Sequence, residues 1–469
     1  MSEHSGNTAA FRDSISTVDK SGKRVWLYPR KPQGRYTNAR TGVSLFLLTL
    51  FFTGPFLRIG GEPVLLLNVI ERKFIIFGKV FWPQDFYLFV IASLIMMVFI
   101  VVFTVIYGRI FCGWVCPQTI FMEGVFRKIE YWIEGDYKKQ QALDKAPWSG
   151  AKIGKKVFKH SVFYGIAFLV SNTFLAYMIG SEAILDLIKS SPFEHPETFG
   201  SLVLFAGVFY GVFARFREQV CTTVCPYGRL QGVLMDRNSV LVAYDYKRGE
   251  PRMKFRKNED RENAGKGSCI DCSLCVDVCP TGIDIRNGTQ MECISCTACI
   301  DACDFVMKRT GQPTGLIRHD SEEGIANRQP FRFTKRMMSY SAVLVVLVFV
   351  LGVLIITRTD VQTSILRTPG MMYQIQENGY VSNLYNYKVI NKSSQDMPLY
   401  FMPLNFEGEI RMVGGNDVSL EKHGLASGSM FVLLDQQQIT EPKTRLEIGV
   451  FSDGKMVEKV KTTFMAPVN

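Results

Sequence analysis

A polytopic α-helical membrane domain, a cysteine-dense α+β insert and a C-terminal all-β sandwich are the architecture this sequence predicts. Three observations predict it. Charge-free apolar runs alternate with basic segments, all twelve cysteines fall between Cys112 and Cys303, and the chain beyond Arg358 changes to short alternating runs separated by turn residues.

A helix that crosses a bilayer needs roughly 20 mostly apolar residues. Such runs cover Gly42 to Leu57, with reach to Leu67 across the interruption Arg58 to Pro63, then Phe86 to Tyr107, Val157 to Ile179, Ser201 to Ala214 with its flanks, and Met338 to Thr357. About five transmembrane helices are therefore expected. Lys and Arg crowd Arg12 to Arg40, Arg109 to Lys156 and Arg215 to Lys335, whereas the loop holding Glu182, Asp186, Glu194 and Glu197 is acidic. With the N-terminus inside, the positive-inside rule is met at each of these loops, and only Glu71 to Lys79 argues weakly the other way. Met1 to Arg40 is polar and basic, so no cleavable signal peptide is expected.

The predicted order is a basic cytoplasmic N-terminus over 1–41, a membrane domain with four spans over 42–235, a cytoplasmic insert over 236–335, a fifth span over 336–357 and an exported β-domain over 358–469. The formal charge of +11 raises nucleic-acid binding, but the cations flank apolar runs and no basic helix or aromatic RNA-binding motif accompanies them. The bilayer is the expected partner. In the tail, Tyr385 to Val389 alternates, Met430 to Leu434 and Leu446 to Phe451 are apolar, Ser393 to Asp396 reads as a turn, and Asp453-Gly454 is a hairpin signal. A small antiparallel sandwich follows.

Within the insert, Cys269, Cys272, Cys275 and Cys279 precede Pro280, and Cys293, Cys296, Cys299 and Cys303 repeat the same spacing. That is the two-cluster ferredoxin signature: three thiolates at this spacing wrap one cubane and the fourth reaches across to the other. Cys269, Cys272, Cys275 and Cys303 are assigned to one [4Fe-4S] cluster, and Cys293, Cys296, Cys299 and Cys279 to the second. A zinc ribbon on Cys269/Cys272 and Cys293/Cys296 leaves four cysteines without a role, and is set aside. The resemblance to bacterial two-cluster ferredoxins runs over about Gly267 to Val306 and departs from the pattern at Asp304, where a proline is usual. Cubanes of this kind pass single electrons.

Two further pairs, Cys112/Cys116 and Cys221/Cys225, each end in Cys-Pro beside a membrane segment. Spaced i, i+4, the sulfurs of a pair share one face if the backbone is helical, and the proline marks a helix end. Together they make a site of two to four thiolates, and soft thiolates select Cu(I), zinc or iron-sulfur clusters. Copper and a third cluster both suit it; copper is the expected occupant. Burial of the four as small hydrophobes is the plainer alternative, but duplication of the whole motif at matching helix ends favours a metal or redox role.

His4, His160, His195, His319 and His423 are scattered, so no haem-ligating pair is expected, and no Gly-x-Gly-x-x-Gly follows a strand, so electrons must come from a separate donor. Met371, Met372, Met397, Met402 and Met412 are read as core filler rather than copper ligands.

The order of these parts resembles the CcoG/FixG/RdxA family of cytochrome oxidase accessory proteins over nearly the whole chain; NapH-like and NosR-like membrane ferredoxins share only the Cys-Pro helices and the ferredoxin. The resemblance implies assembly of a cbb-type cytochrome c oxidase by reduction of Cu(II) to Cu(I), with Cys112, Cys116, Cys221 and Cys225 as the copper-facing, catalytic thiols. It also implies an immunoglobulin-like exported domain, a homodimer, residence in the bacterial inner membrane, and the oxidase assembly machinery or a copper chaperone as partner. The alternative is a respiratory subunit linking a quinol or cytosolic donor to a partner enzyme.

Overall fold

The computed structural model describes every residue except 1–16, 20, 70–72, 83–84, 192, 257–260, 262, 360, 378, 394, 416–417, 423 and 468–469. The readings made on His4, His423, Glu71 and Ser394 therefore lie outside the described residues. Among the described residues, five helices are long and apolar enough to cross a membrane: Arg35–Phe56, Phe86–Tyr107, Gly150–Ile179, Pro196–Phe216 and Lys335–Ile356. Leu45, Phe46, Phe89, Met97, Leu204, Val345 and Phe349 stand exposed along them, a surface suited to lipid and not to water.

The first helix begins at Arg35, ahead of the apolar run, because Asp301 caps it. The backbone N–H groups of Tyr36 and Thr37 donate to the Asp301 carboxylate at 3.1 and 2.7 Å. The residue at its N-cap, Gly34, has no side chain with which to do so.

The extension of this span to Leu67 is incorrect. The regular helix ends at Thr53, two residues before Pro55, and Gly60 and Gly61 follow with φ of 61° and 87°. Leu65–Asn68, Lys73–Ile76 and Lys79–Phe81 then form an antiparallel meander that buries Leu66, Ile75 and Val80 together. Apolar residues two apart, not a helical stripe, carry that segment.

The chain divides into two compact units, one of Met1–Gly54, Ile91–Ala176 and Ser181–Phe349, the other of Pro55–Val90, Tyr177–Gly180 and Val350–Asn469. In the first, Phe126 stacks on Phe213 at 4.7 Å and meets Phe163 edge-on at 4.9 Å, so the segment after the first Cys-Pro packs on the third and fourth spans. The insert closes on itself through the antiparallel pair Leu241–Tyr244 and Ile317–Asp320. Between those strands in sequence lie the helices Leu274–Asp277 and Ala298–Arg309, with Ile285, Ile300, Met307 and Leu316 in the core.

In the second unit the tail is all-β. One sheet runs Gly408–Met412, Leu425–Asp435, Tyr380–Asn391, Val361–Arg367, with Gln374–Ile375 beside the third of these. The other runs Val418–Leu420, Met397–Pro403, Lys443–Ser452, Lys455–Met465. Their inner faces share one core of Val381, Tyr385, Val432, Leu446, Ile448 and Phe464. The Tyr385 hydroxyl donates to the Thr463 carbonyl at 2.8 Å and ties the sheets. Asp453-Gly454 is the two-residue hairpin turn, both residues at positive φ. Met397 and Met412 pack against the core as filler, whereas Met371, Met372 and Met402 are exposed.

Candidate metal centre

In each half of the insert the same two positions adopt a left-handed backbone. Asp271 and Ser273 have φ of 51° and 58°; their counterparts Ser295 and Thr297 have 53° and 66°. Non-glycine residues reach this region at a cost of roughly 1–2 kcal/mol, so its repetition at matching positions marks a constrained loop. Alternation of right- and left-handed residues turns successive N–H groups inward, the nest that suits iron-sulfur sites. Spacing found the thiols; it gave no sign of this backbone.

The loops gather the thiols into two sets. Cys269, Cys272, Cys275 and Cys303 line one cavity with Leu274, Val306 and Met307. Cys279, Cys293, Cys296 and Cys299 line another with Ile283, Ile285 and Ile294. The fourth cysteine of each half thus sits in the other half's cavity. Among the described residues, no group of three or more His, Cys, Asp or Glu is placed to hold a single metal ion, in the insert or at the Cys-Pro pairs. Burial pushes the Cys275 and Cys303 thiols up to about 12 and that of Cys296 to about 11, so loading a metal here must displace protons.

The two Cys-Pro pairs form a third set. Their electrostatic coupling joins Cys112 to Cys116 and Cys225, and Cys221 to all three others. The shared helical face expected for each pair is not what forms. Cys112 lies in the helix Ile110–Trp114, while Cys116 is the N-cap of Pro117–Phe121. Cys221 lies in a π-helical turn, Val220–Val224, and Cys225 is the N-cap of Pro226–Leu234. The proline breaks the helix at its own N1 position, so each pair straddles a junction. Burial raises the Cys116 thiol, opposed by the N–H groups of Gln118 and Thr119.

Contact between this set and the second cavity is close. A Cβ on Gly113 would lie 2.5 Å from the Ile294 carbonyl and 2.8 Å from that of Ser295, so only glycine lets the helix beside Cys112 meet that loop. Cys112 packs in one apolar cluster with Val278, Ile294 and Cys296. A Cβ on Gly228 would meet the Cys221 carbonyl at 2.5 Å. A small cavity opens between Cys221, Met122, Glu123 and Glu218 on one side and Pro280, Thr281 and Ile294 on the other. Gln231 Nε2 donates to Cys112 Sγ at 3.1 Å. Gln231 Oε1, Trp114 Nε1, Ser295 Oγ and Arg109 Nε are buried without a hydrogen-bond partner among the described residues.

Sequence reading missed three groups here. Arg109, inside the first motif, is 4 % exposed and donates to the carbonyls of Gly228 at 2.9 Å and Cys293 at 3.4 Å. Arg40 donates to the Cys296 carbonyl at 3.0 Å. Cations held in this way, Arg109 buried and Arg40 half-buried, favour added negative charge nearby, which raises the potential of a redox group. The third is a buried ion network. Arg217, at a strained φ of 52° and ψ of −124°, donates to Glu130 at 3.1 and 2.5 Å; Lys159 reaches Glu130 and Glu134, and Arg127 pairs with Glu123 at 2.8 Å. Burial alone would raise the Glu130 carboxyl, but Arg217, Lys159 and Arg127 overcome it and hold it low.

Removing one partner leaves its cations buried and unpaired, so Glu130→Ala is expected to destabilise the protein by roughly 3–5 kcal/mol. The check is the thermal unfolding midpoint of the detergent-solubilised protein. Glu130→Gln, which keeps the shape and part of the hydrogen bonding, should lose less.

Residues 216–322 match the model of a 4Fe-4S dicluster domain, residues 89–140 that of a 4Fe-4S binding domain, and residues 351–467 that of an IG-like fold at the C-terminus of FixG. Protein RdxA of Cereibacter sphaeroides is 32% identical over 468 residues, covering 94% of this chain and 97% of that protein. Nitrogen fixation protein FixG of Rhizobium meliloti is 32% identical over 409 residues, covering 79% of this chain and 77% of that protein. A crystal structure of a FixG-related protein from Vibrio parahaemolyticus aligns at 17% identity and a TM-score of 0.20, covering 23% of this chain and 97% of that one.

Proposed function

The chain belongs to the FixG/RdxA family, as a multi-pass membrane iron-sulfur electron-transfer protein, and from that premise we propose that it reduces Cu(II) to Cu(I) for assembly of a cbb-type haem-copper oxidase. One observation carries the proposal: the Gly113 contact, which brings the helix of Cys112 against the loop between Cys293 and Cys296.

In this reading Cys269, Cys272, Cys275 and Cys303 hold one cubane, and Cys279, Cys293, Cys296 and Cys299 the other. Each, when bound, carries one electron at a time. Cys272 is the exposed thiol of the eight, so a separate reductant would approach the first set. The substrate Cu(II) takes up one electron and leaves as Cu(I), and the four thiolates of the Cys-Pro pairs favour that product because soft ligands prefer Cu(I). Arg109 and Arg40 bias negative charge toward the second set, nearest the copper. Lys and Arg crowding the loops support a cytoplasmic insert and an exported sandwich in a bacterial inner membrane.

Protein purified without oxygen and reduced with dithionite tests this. Added Cu(II) should reoxidise it and yield Cu(I), which a Cu(I)-specific chelator detects. Reoxidation by a quinone alone, with none by Cu(II), would move the function to the respiratory subunit. One observation favours a second reading of the thiols: residues 89–140 match a 4Fe-4S binding model yet contain only Cys112 and Cys116, so with Cys221 and Cys225 they would hold a third cluster. That reading requires about twelve irons per chain in place of about eight.

A further inference from the structure

A further pocket lies at the first two turns of the first span and faces the segment after the first Cys-Pro pair. Lys31, Arg40 and Lys128 line it with Asn38, Thr41 and Tyr131. Glu123 is the one carboxylate in the lining, and it is committed to Arg127 at 2.8 Å. Lys31, Arg40 and Lys128 have no carboxylate partner among the described residues. Exposed Lys31 and Lys128 and half-buried Arg40 therefore line one open space without a carboxylate partner.

The neighbouring groups show that this is not a frayed surface. Arg40 is fixed by its bond to the Cys296 carbonyl at 3.0 Å, and Lys128 Nζ reaches Thr41 Oγ1 at 3.3 Å. The Tyr131 hydroxyl donates to the Pro29 carbonyl at 3.0 Å, and the Lys31 N–H donates to Asp136 at 3.0 Å, so the wall that carries Lys31 is tied on both sides. Desolvation, and then Arg40 and Lys31, push the Lys128 ammonium below its ordinary value, as expected where like charges face each other uncompensated. Elsewhere in this unit the carboxylates Glu130, Glu134, Glu218 and Asp144 all have cationic partners within 3.0 Å.

We propose that this cavity binds a phosphate-bearing anion, held by Lys31, Arg40 and Lys128 with the Asn38 amide as a further donor. A phosphate monoester or diester offers several acceptor oxygens to such a fork of cations, and Arg and Lys recognise it with charge-assisted bonds. The position, at the N-terminal turns of the first span, suits the headgroup of an anionic phospholipid; a soluble phosphate ester has the same chemistry. Since Arg40 also bonds to the Cys296 loop, an occupant would brace the first span against the iron-sulfur insert.

The test uses the full-length protein, with the double variant Lys31→Gln/Lys128→Gln and the single variant Lys31→Gln; Arg40 is left in place because it touches the Cys296 loop. Native mass spectrometry after transfer from nanodiscs of phosphatidylcholine with phosphatidylglycerol reads lipid retention, and thermal unfolding with inorganic phosphate reads the soluble source. Retention of phosphatidylglycerol by the parent protein, weakened about tenfold or more in the double variant and less in the single one, supports the lipid source. A phosphate-dependent rise in the midpoint of the parent protein, lost in the double variant, supports the soluble one. Equal iron content, and an anion-free midpoint in the variant that is no lower than the parent's, show that folding is intact. If the parent protein neither retains phosphatidylglycerol above phosphatidylcholine nor responds to phosphate, or if the double variant behaves as the parent does, the proposal is overturned.

Discussion

Replacing Cys303 with alanine should remove the cluster of the first half of the insert and spare that of the second, although Cys303 belongs to the second half in sequence. The reason is geometric: Cys303 lines the cavity of Cys269, Cys272 and Cys275, and Cys279 lines that of Cys293, Cys296 and Cys299. Iron should fall from about eight to about four atoms per chain. Combining it with Cys269→Ala should cost no further iron, since both changes empty one site, whereas combining it with Cys279→Ala should strip almost all of it. This non-additivity separates crossed ligation from a scheme in which each half holds its own cluster. Iron analysis and EPR of reduced, anaerobic protein read it directly. Loss of both clusters in the single Cys303 variant would show that the halves fold as one unit.

Cys112→Ala and Cys225→Ala should leave the eight insert thiols and their iron intact while slowing reoxidation by Cu(II) by about 10²-fold or more, if the copper step depends on soft thiolate ligands. Each variant removes one ligand from the coupled set of Cys112, Cys116, Cys221 and Cys225. Stopped-flow absorbance of the clusters follows the rate. A drop in iron together with the rate would instead favour the third-cluster reading, and an unchanged rate would remove these thiols from the copper chemistry.

Much of this was legible in the sequence because it is written in spacing. Three or four residues fix a cubane ligand set, and a run of roughly 20 apolar residues fixes a span, so the spans and the thiol sets could be read without coordinates. The meander at Leu65–Phe81 was not legible, because short apolar runs do not by themselves distinguish strand from helix. The left-handed pairs Asp271/Ser273 and Ser295/Thr297 left no trace in spacing, since neither position is glycine. Arg109 and Arg40 were invisible for a different reason: their roles come from contacts with Cys293 and Cys296 that lie far away along the chain. The Cys-Pro pairs show both sides. Proline announced a helix boundary, but that the boundary falls between the two sulfurs of each pair emerges only from the fold.

The most direct measurement of the central claim is the metal content and reduced-state EPR of the chain purified without oxygen. Two thiol-lined cavities predict about eight iron atoms and a matching amount of acid-labile sulfide per chain, with magnetically interacting signals from neighbouring reduced cubanes. Preparations that carry zinc, or no iron at any stage of anaerobic handling, would contradict it.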